Sequence, residues 1–524
     1  MAVVDVIIVG AGPVGLMLAN QLQLRGVSYR LLEARPGRDY WCKALGISPR
    51  TLEIFDHMGI LSEALACGLF LTAVNTVVAG KTVSRVEIAV DQHPYGPMAM
   101  GQFDTEEMLE TELRRRGGAI EWSSVMSGFH RFLGGVEVEW DAPSGSQKCS
   151  CRYLIGCDGA HSLVRKTLGL AFEGERFEQN FFLGDVELHW DRSHSEVWKL
   201  IQLNQEGQLT NVVAVVPIPG NERRYRLSMA LPPELVENPL EPMEMLQQVA
   251  LPALPPGTQI QELRWASHYS ISHRITDQYR KGNCFIAGDA AHIHPPIGGL
   301  GMNTGLQDAF NLGWKLAAVT RGEALEMLLD SYHEERHKVG QEVVELTAGR
   351  MKDAASQKDR DEQAEERANT QLFVNYRGAR LAQGGIPQGD RGAAPGERLD
   401  YVQGLRRPYL AASLRLIEFL RHGEFQLIGY GGEWSQLAQL AEELRQCFGS
   451  HVRCMAIADP QAAEQPPESL LVLHDGEGQA QRAWGDGPGA LVVRPDGYVG
   501  WRGGPVRDAA LDKFLAQVTL GLQA

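Results

Sequence analysis

Apolar and polar positions along this chain change rhythm several times, and each change predicts an element. Val3 to Val9 is a short β-branched run closed by Gly10, the pattern of a buried parallel strand. Val14 to Leu24 has helical spacing with Gly26 as its stop, and Tyr29 to Leu32 is a second strand ending at Glu33. This β-α-β unit opens an α/β domain. Thr51 to Met58 and Leu61 to Ala66 are read as helical, and Glu106 to Arg115 as a helix capped by Thr105. From Phe182 to Trp265 the pattern alternates, as in Asn211 to Val216 and Arg224 to Ala230, which predicts antiparallel strands. Cys284 to Ala287 returns to a buried strand, and Thr304 to Val319 reads as a long helix. Residues 350–370 are charged and polar, a solvated helix. Residues 384–400 are rich in Gly, Pro and Arg without apolar periodicity, and the main boundary is placed there. Beyond it, Glu424 to Ile428, Trp434 to Phe448, Val452 to Ala458, a hairpin through Arg494-Pro495-Asp496-Gly497, and Ala509 to Leu520 form a compact β/α unit.

Composition narrows the picture. A chain of 524 residues exceeds what one hydrophobic core holds, so two or three domains are expected. Its 65 acidic against 50 basic residues give a net charge of −15, which disfavours nucleic acid and anionic membrane as partners. No apolar run reaches the length of a membrane span, and no signal peptide is visible at the N-terminus. Eight cysteines without a C-x-x-C read as reduced thiols, so a cytoplasmic protein, monomer or homodimer, is expected. Glycine is in surplus, 57 of the 524 residues, which directs attention to places of close backbone approach.

Three glycine-bearing motifs stand where strands end. Gly10-Ala11-Gly12-Pro13-Val14-Gly15 is a G-x-G-x-x-G between strand and helix. Its first Gly makes the turn, the second admits a pyrophosphate, and the third lets helix pack on strand. The helix N-terminus offers N–H groups to phosphate, and Glu33 is placed to accept from ribose hydroxyls. Gly156-Cys157-Asp158-Gly159 follows the strand Tyr153-Leu154-Ile155. The third motif runs from Gly288-Asp289 through His292, His294, Pro295, Pro296, Gly298, Gly299 and Gly301 to Asn303. His292 and His294 lack a third metal ligand, so no metal site is expected.

Together the three motifs resemble the FAD-dependent aromatic hydroxylases, single-component flavoprotein monooxygenases of the phenol hydroxylase and polyketide hydroxylase branch. The resemblance covers most of residues 3–345, including Arg50-Thr51-Leu52-Glu53, Gln102 with Glu106 and Leu109, and Asp308 to Leu316. Val492 to Val499 is similar to the thioredoxin-like C-terminal domain of that branch; Cys447 and Cys454 are too far apart in sequence for a redox C-x-x-C. The implied fold is an α/β, Rossmann-like FAD-binding domain (1–175 and 276–395) with an inserted α+β substrate domain dominated by an antiparallel sheet (176–275). A thioredoxin-like α/β domain (396–524) follows.

The resemblance implies roles residue by residue. Gly10, Gly12, Pro13, Val14 and Gly15 would hold the FAD pyrophosphate; Glu33, with Ala34 and Arg35, would hold the adenosine ribose. Lys43 and Gln102 would contact the flavin chain, and Asp158 with Gly159 would serve the motif shared by FAD and NAD(P)H. Asp289 would bind the ribityl or pyrophosphate region. Pro295, Pro296, Gly298, Gly299, Gly301, Met302 and Asn303 would pass along the isoalloxazine ring, with Pro295, Pro296 and Gly298 as the candidate catalytic positions. The implied reaction uses non-covalent FAD, NAD(P)H and O2, and hydroxylates a phenolic or polycyclic aromatic natural product through a flavin C4a-hydroperoxide. Baeyer–Villiger insertion, epoxidation, a plain FAD-linked dehydrogenase, and a flavin-retaining protein that guards a reactive intermediate are the rival readings. Two positions depart from the family pattern: Lys43-Ala44 stands where Arg-Ala is common, and apolar Leu45 where phenol hydroxylases carry a carboxylate. Trp190, Trp198, Tyr225, Trp265 and Tyr269 are candidates for an aromatic pocket, with ordinary sheet packing as the competing reading, and Arg226 reads as a surface residue.

Overall fold

The run Val3–Val9 forms a strand that pairs in parallel with Tyr29–Leu32 on one side and Gly145–Gly156 on the other. Gly145–Gly156 in turn pairs in parallel with Cys284–Ile286, and the antiparallel strands Val125–Phe132 and Gly135–Ala142 extend the sheet. The computed structural model describes residues 3–40, 44–88, 93–296, 298–356 and 367–520. Apolar side chains at Val6 to Val9 and at Leu154 and Ile155 are buried from both sides, which is why these strands read as continuous rather than alternating runs. Helices Pro13–Leu24 and Leu300–Thr320 lie in the same core.

Two helix starts differ from the sequence reading. The long helix begins at Leu300, not Thr304, so Gly301, Met302 and Asn303 sit in its first turn instead of a loop. Gly299, at φ 67°, makes the left-handed bend that lets it start there. The helix Gln102–Arg115 is capped by Gly101, and the Thr105 hydroxyl donates to the Gly101 carbonyl from inside the first turn.

A second sheet has eight strands. In spatial order they are His292–Ile293, Gln259–Thr276, Phe172–His189, Arg224–Ala230, Leu209–Pro217, Glu196–Leu203, Ala73–Val78 and Lys81–Glu87. All neighbours pair antiparallel except Glu196–Leu203 with Ala73–Val78. Strands 73–78 and 81–87 come from a part of the chain far upstream of the alternating stretch. Nothing in their own pattern tells which sheet they will edge, because pairing partners are chosen by tertiary contact.

The C-terminal unit is a mixed sheet with Phe425–Tyr430 between Val452–Ala458, parallel, and Gly489–Val493, antiparallel. Residues 384–400 are no free linker. Gln383–Gly384 pair with Trp501–Arg502, Ala393 and Leu399 join the C-terminal core, and the Gly396 N–H donates to the Val499 carbonyl. Backbone pairing needs no apolar periodicity, so the segment read as a loop while being woven into a sheet.

The hairpin turn of this unit is sunk into the first domain. Arg494 is fully buried and makes two bonds to Glu335, at 2.6 and 2.9 Å, while the Asp496 carboxylate accepts from Trp314 Nε1 and Asn311 Nδ2. Lys315 Nζ donates to Glu335 as well, at 2.7 Å. Burial opposes the charge on Glu335, but the adjoining Arg494 and Lys315 cations outweigh it and hold the carboxyl down to about 2.

Candidate functional site

The three motifs converge at the C-terminal ends of the parallel strands Val3–Val9, Gly145–Gly156 and Cys284–Ile286. That is where open α/β sheets bind ligands. An added Cβ tests what each glycine of the first motif does. On Gly10 it would stand 2.4 Å from the Cys157 carbonyl oxygen, and on Gly15 1.9 Å from that of Gly10. Both are demanded by the chain's own packing. On Gly12 it would meet no protein atom within 4 Å. Gly12 therefore leaves open the side a pyrophosphate approaches, and it starts helix Pro13–Leu24 without any side-chain cap, so the first N–H groups are available to an anion. This donor set and this opening fit the diphosphate of FAD.

Glu33 is buried beside the turn. Its carboxylate accepts from the Ala11 N–H at 2.6 Å and from the Arg35 N–H at 3.0 Å, and Arg35 Nε closes an ion pair at 3.0 Å. Ala34 lies between them in the chain. Gln102 is tied to the neighbouring loop: its N–H donates to the Ala44 carbonyl at 2.9 Å and its side chain donates to Glu106. Lys43 lies outside the described residues, as does Ile297. Asp158 caps helix Leu163–Leu168 through one oxygen, accepting from the N–H groups of Leu163 and Val164. Its other oxygen, Oδ1, is buried with no partner among the described residues, and Gly159 follows at φ 75°. Asp289 sits exposed in the short turn Gly288–Ala290.

The third motif is held from beneath by a buried charged group that the sequence reading did not assemble. Asp308 accepts from the Gly288 N–H at 3.1 Å, pairs with His292 Nε2 at 2.8 Å and with Arg336 Nε at 2.7 Å. Arg336 also donates to the Thr304 carbonyl and the Tyr376 hydroxyl. Burial works against the Asp308 charge, yet Arg336 and His292 keep its carboxyl below the usual range. No spacing rule links residues 288, 308 and 336, so the group comes together only in the fold.

Asn303 joins two loops. Its amide donates to the carbonyls of Gly46 and Gly299 at 2.9 and 2.7 Å, and its oxygen accepts from the Ser48 N–H at 2.9 Å. It thus sets the spacing of the loops that flank the Gly298–Gly301 segment rather than presenting a free amide. Pro295 is buried and Pro296 exposed; Gly298 packs against Asn369 and Arg350, and Met302 is half-buried beside Gly301. His294 is enclosed, its Nδ1 at 3.0 Å from the Pro295 carbonyl. Burial, with His292 close by, pushes its pKa down to about 4 against the backbone bond, so the ring is neutral at physiological pH.

The eight-stranded sheet borders this loop with one face. Val216 packs with Leu45, Ala99 and Ile218, and Gly46 lies against Gly299. Register then assigns the aromatic candidates. Val216 stands opposite Arg226, Arg226 opposite Asp185, and Asp185 opposite Trp265, so all four share the face of Val216. Tyr269, opposite Phe181, shares it too. Trp198 and Tyr225 point the other way, into a core with Phe182, Leu227 and Leu246, and Trp190 packs edge-on against both. Trp198 and Tyr225 are packing residues, and Trp190 covers them from a half-buried position away from the Val216 face. Arg226 is not on the surface: it is 5% exposed, held bidentately by Asp185 at 2.8 and 2.9 Å, with Trp265 under its guanidinium.

Residues 3–347 match the family described as FAD binding domain, and residues 394–519 match the one described as aromatic-ring hydroxylase, C-terminal. The chain is similar to a flavin-dependent monooxygenase of Mycobacteroides abscessus, 32% identical over 94% of this chain and 96% of that one. It is similar to pentachlorophenol 4-monooxygenase of Sphingobium chlorophenolicum, 31% identical over 95% and 94%. Among solved structures it resembles aklavinone-11 hydroxylase in ternary complex with FAD and aklavinone, with TM-score 0.80 and 26% identity over 98% of this chain and 99% of that one. Likeness of this extent, from the dinucleotide turn to the C-terminal unit, makes the chain a member of the FAD-binding aromatic-ring hydroxylase family, an FAD-dependent monooxygenase.

Proposed function

We propose that the protein uses NAD(P)H and O2 to hydroxylate a phenolic or polycyclic aromatic compound held between the Pro295–Gly301 segment and the Val216 face of the eight-stranded sheet. The observation that carries this reading is the placement of that face, with Trp265, Tyr269 and the hydroxyl of Ser228, beside the loop that Asn303 and Asp308 fix. Relatives named for acting on pentachlorophenol and aklavinone support the substrate class.

Bound FAD supplies the redox chemistry that passes one oxygen atom of O2 to the substrate. The chain does the rest. Gly12 and the start of helix Pro13–Leu24 hold the diphosphate; Glu33 and Arg35 shape the ribose end; Gln102 and Ala44 bound the chain between them. Leu45, Ala99, Ile218 and Val216 keep water from the Gly299 side. The neutral His294 ring adds no charge there. We read the eight-stranded sheet as the substrate-binding unit, with strands 73–78 and 81–87 added to residues 176–275. The C-terminal unit is read as thioredoxin-like and structural: burial pushes the Cys454 thiol up to about 11 and raises that of Cys447 too, the reverse of what a redox pair needs.

The test is NAD(P)H oxidation by the purified flavoprotein with and without candidate aromatics under O2. Substrate-stimulated consumption with one oxygen atom of O2 in the product is expected; consumption that no aromatic alters counts against the reading. Gly12→Val checks the cofactor site separately. At φ −72° with open space ahead, the new side chain fits the protein, so circular dichroism should be unchanged while FAD is lost on gel filtration. Stoichiometric FAD in that variant would sink the assignment.

A further inference from the structure

Lys199, on the Val216 face, is a cation that nothing neutralises among the described residues. Lys199 stands opposite Thr76 on one side and Ala214 on the other; Ala214 is opposite Ser228, and Ser228 opposite Leu183. Its neighbours Trp198 and Leu200 point into the covered core, so by strand alternation the Lys199 side chain belongs to the face that borders the Gly299 loop. It is half-buried. Among the described residues it makes no ion pair and no hydrogen bond through its side chain. Two carboxylates share the face by register: Asp185, occupied by both prongs of Arg226, and Glu187, which stands opposite Arg224 and pairs with Arg264. Glu196, three positions back, projects to the other face and is bonded to Arg85 and Asn75. The Asp185–Arg226 pair cancels, and Lys199 keeps its charge without a described counter-ion in a chain whose total is −15.

We propose that Lys199 anchors a carboxylate on the aromatic substrate, so that the physiological substrate is an aromatic acid. This rests on the reading of the Val216 face as the substrate wall. A lysine ammonium is a compact charge on a flexible stem, suited to meeting a carboxylate whose position is set by the rest of the molecule. On a half-buried wall the attraction is screened less than at an open surface. The hydroxyls of Ser228 and Tyr269, 3.5 Å apart on the same face, offer neutral hydrogen bonds to the substrate's other oxygens, while Ala214, Val216 and Leu183 bound its ring. Arg226 is excluded from the anchoring role because its charge is already met and its geometry locked by Asp185.

The experiment titrates the FAD-loaded protein with 1-hydroxy-2-naphthoate and with 1-naphthol, reading the perturbation of flavin absorbance. In the unaltered protein the acid should bind roughly 10- to 100-fold tighter, the size of one charge-assisted contact. In Lys199→Gln the two compounds should bind alike, Lys199→Arg should keep part of the preference, and raised salt should shrink it. Flavin content and melting temperature should match the parent in both variants. A preference that survives in Lys199→Gln, or perturbation by both compounds that is blind to the carboxylate in the unaltered protein, overturns the assignment of Lys199 while leaving the substrate wall in place. Failure of both compounds to perturb the flavin in the unaltered protein overturns the wall itself, and the anchor with it.

Discussion

The two faces of the eight-stranded sheet are built by the same alternation and end with opposite characters. One face packs Phe182, Trp198, Val213, Tyr225 and Leu227 against Met245, Leu246 and Val249, and these side chains are almost fully buried. The other carries Lys199, Ser228, Ser267, Trp265 and Tyr269, all half-buried, with Arg226 and Asp185 paired among them. The covered face is stabilised by apolar area removed from water. The open face keeps polar groups at half-buried positions, and these are the groups proposed to meet the substrate. Aromatic content does not separate the two, since each has tryptophan and tyrosine; register does.

That contrast can be broken from either side. The largest effect is expected from Phe182→Ala on the covered face, a loss of about 4 kcal/mol in denaturant unfolding from transfer and cavity terms together. Substrate affinity of the folded protein should hardly move; a variant that loses affinity and keeps its stability would reverse the roles of the faces. Next, Asp185→Leu strands the buried Arg226 cation and should cost about 3 kcal/mol. Adding Arg226→Met should return most of that stability without restoring KM for the aromatic substrate. Recovery of both would make the pair a packing device and nothing more. The smallest effect is Tyr269→Phe, which removes a hydroxyl bonded weakly to Ser228 at 3.5 Å. Stability should change by less than about 1 kcal/mol while KM rises several-fold. An unaltered KM there would move the wall away from Tyr269.

The same physical division explains what could be read from the residue order. Gly10, Gly12 and Gly15 were legible because their tasks are local: a turn, an opening and a helix contact, all within one β-α step. Trp434–Phe448 and Val452–Ala458 were legible for the same reason, each having its period in its own side chains. Thr105 and the start of the long helix were misplaced by short distances, since Gly101 and Gly299 begin those helices without a side-chain cap. The segment 384–400 hid its role because its bonds are made by backbone to Arg502 and Val499.

What the sequence determined by itself is the cofactor class and the family, since dinucleotide binding depends on closely spaced glycines whose chemistry is local. What only the tertiary structure decided is everything that depends on side chains meeting across long separations. Asp308 joins Gly288, His292 and Arg336; Asn303 joins Gly46 and Ser48; Asp496 reaches back to Asn311 and Trp314. The side of the sheet on which Lys199 stands is set by pairing with strands more than a hundred residues upstream and some fifteen downstream. A one-residue slip in that pairing would exchange the two faces, and register is fixed by tertiary packing, not by the strand's own residues.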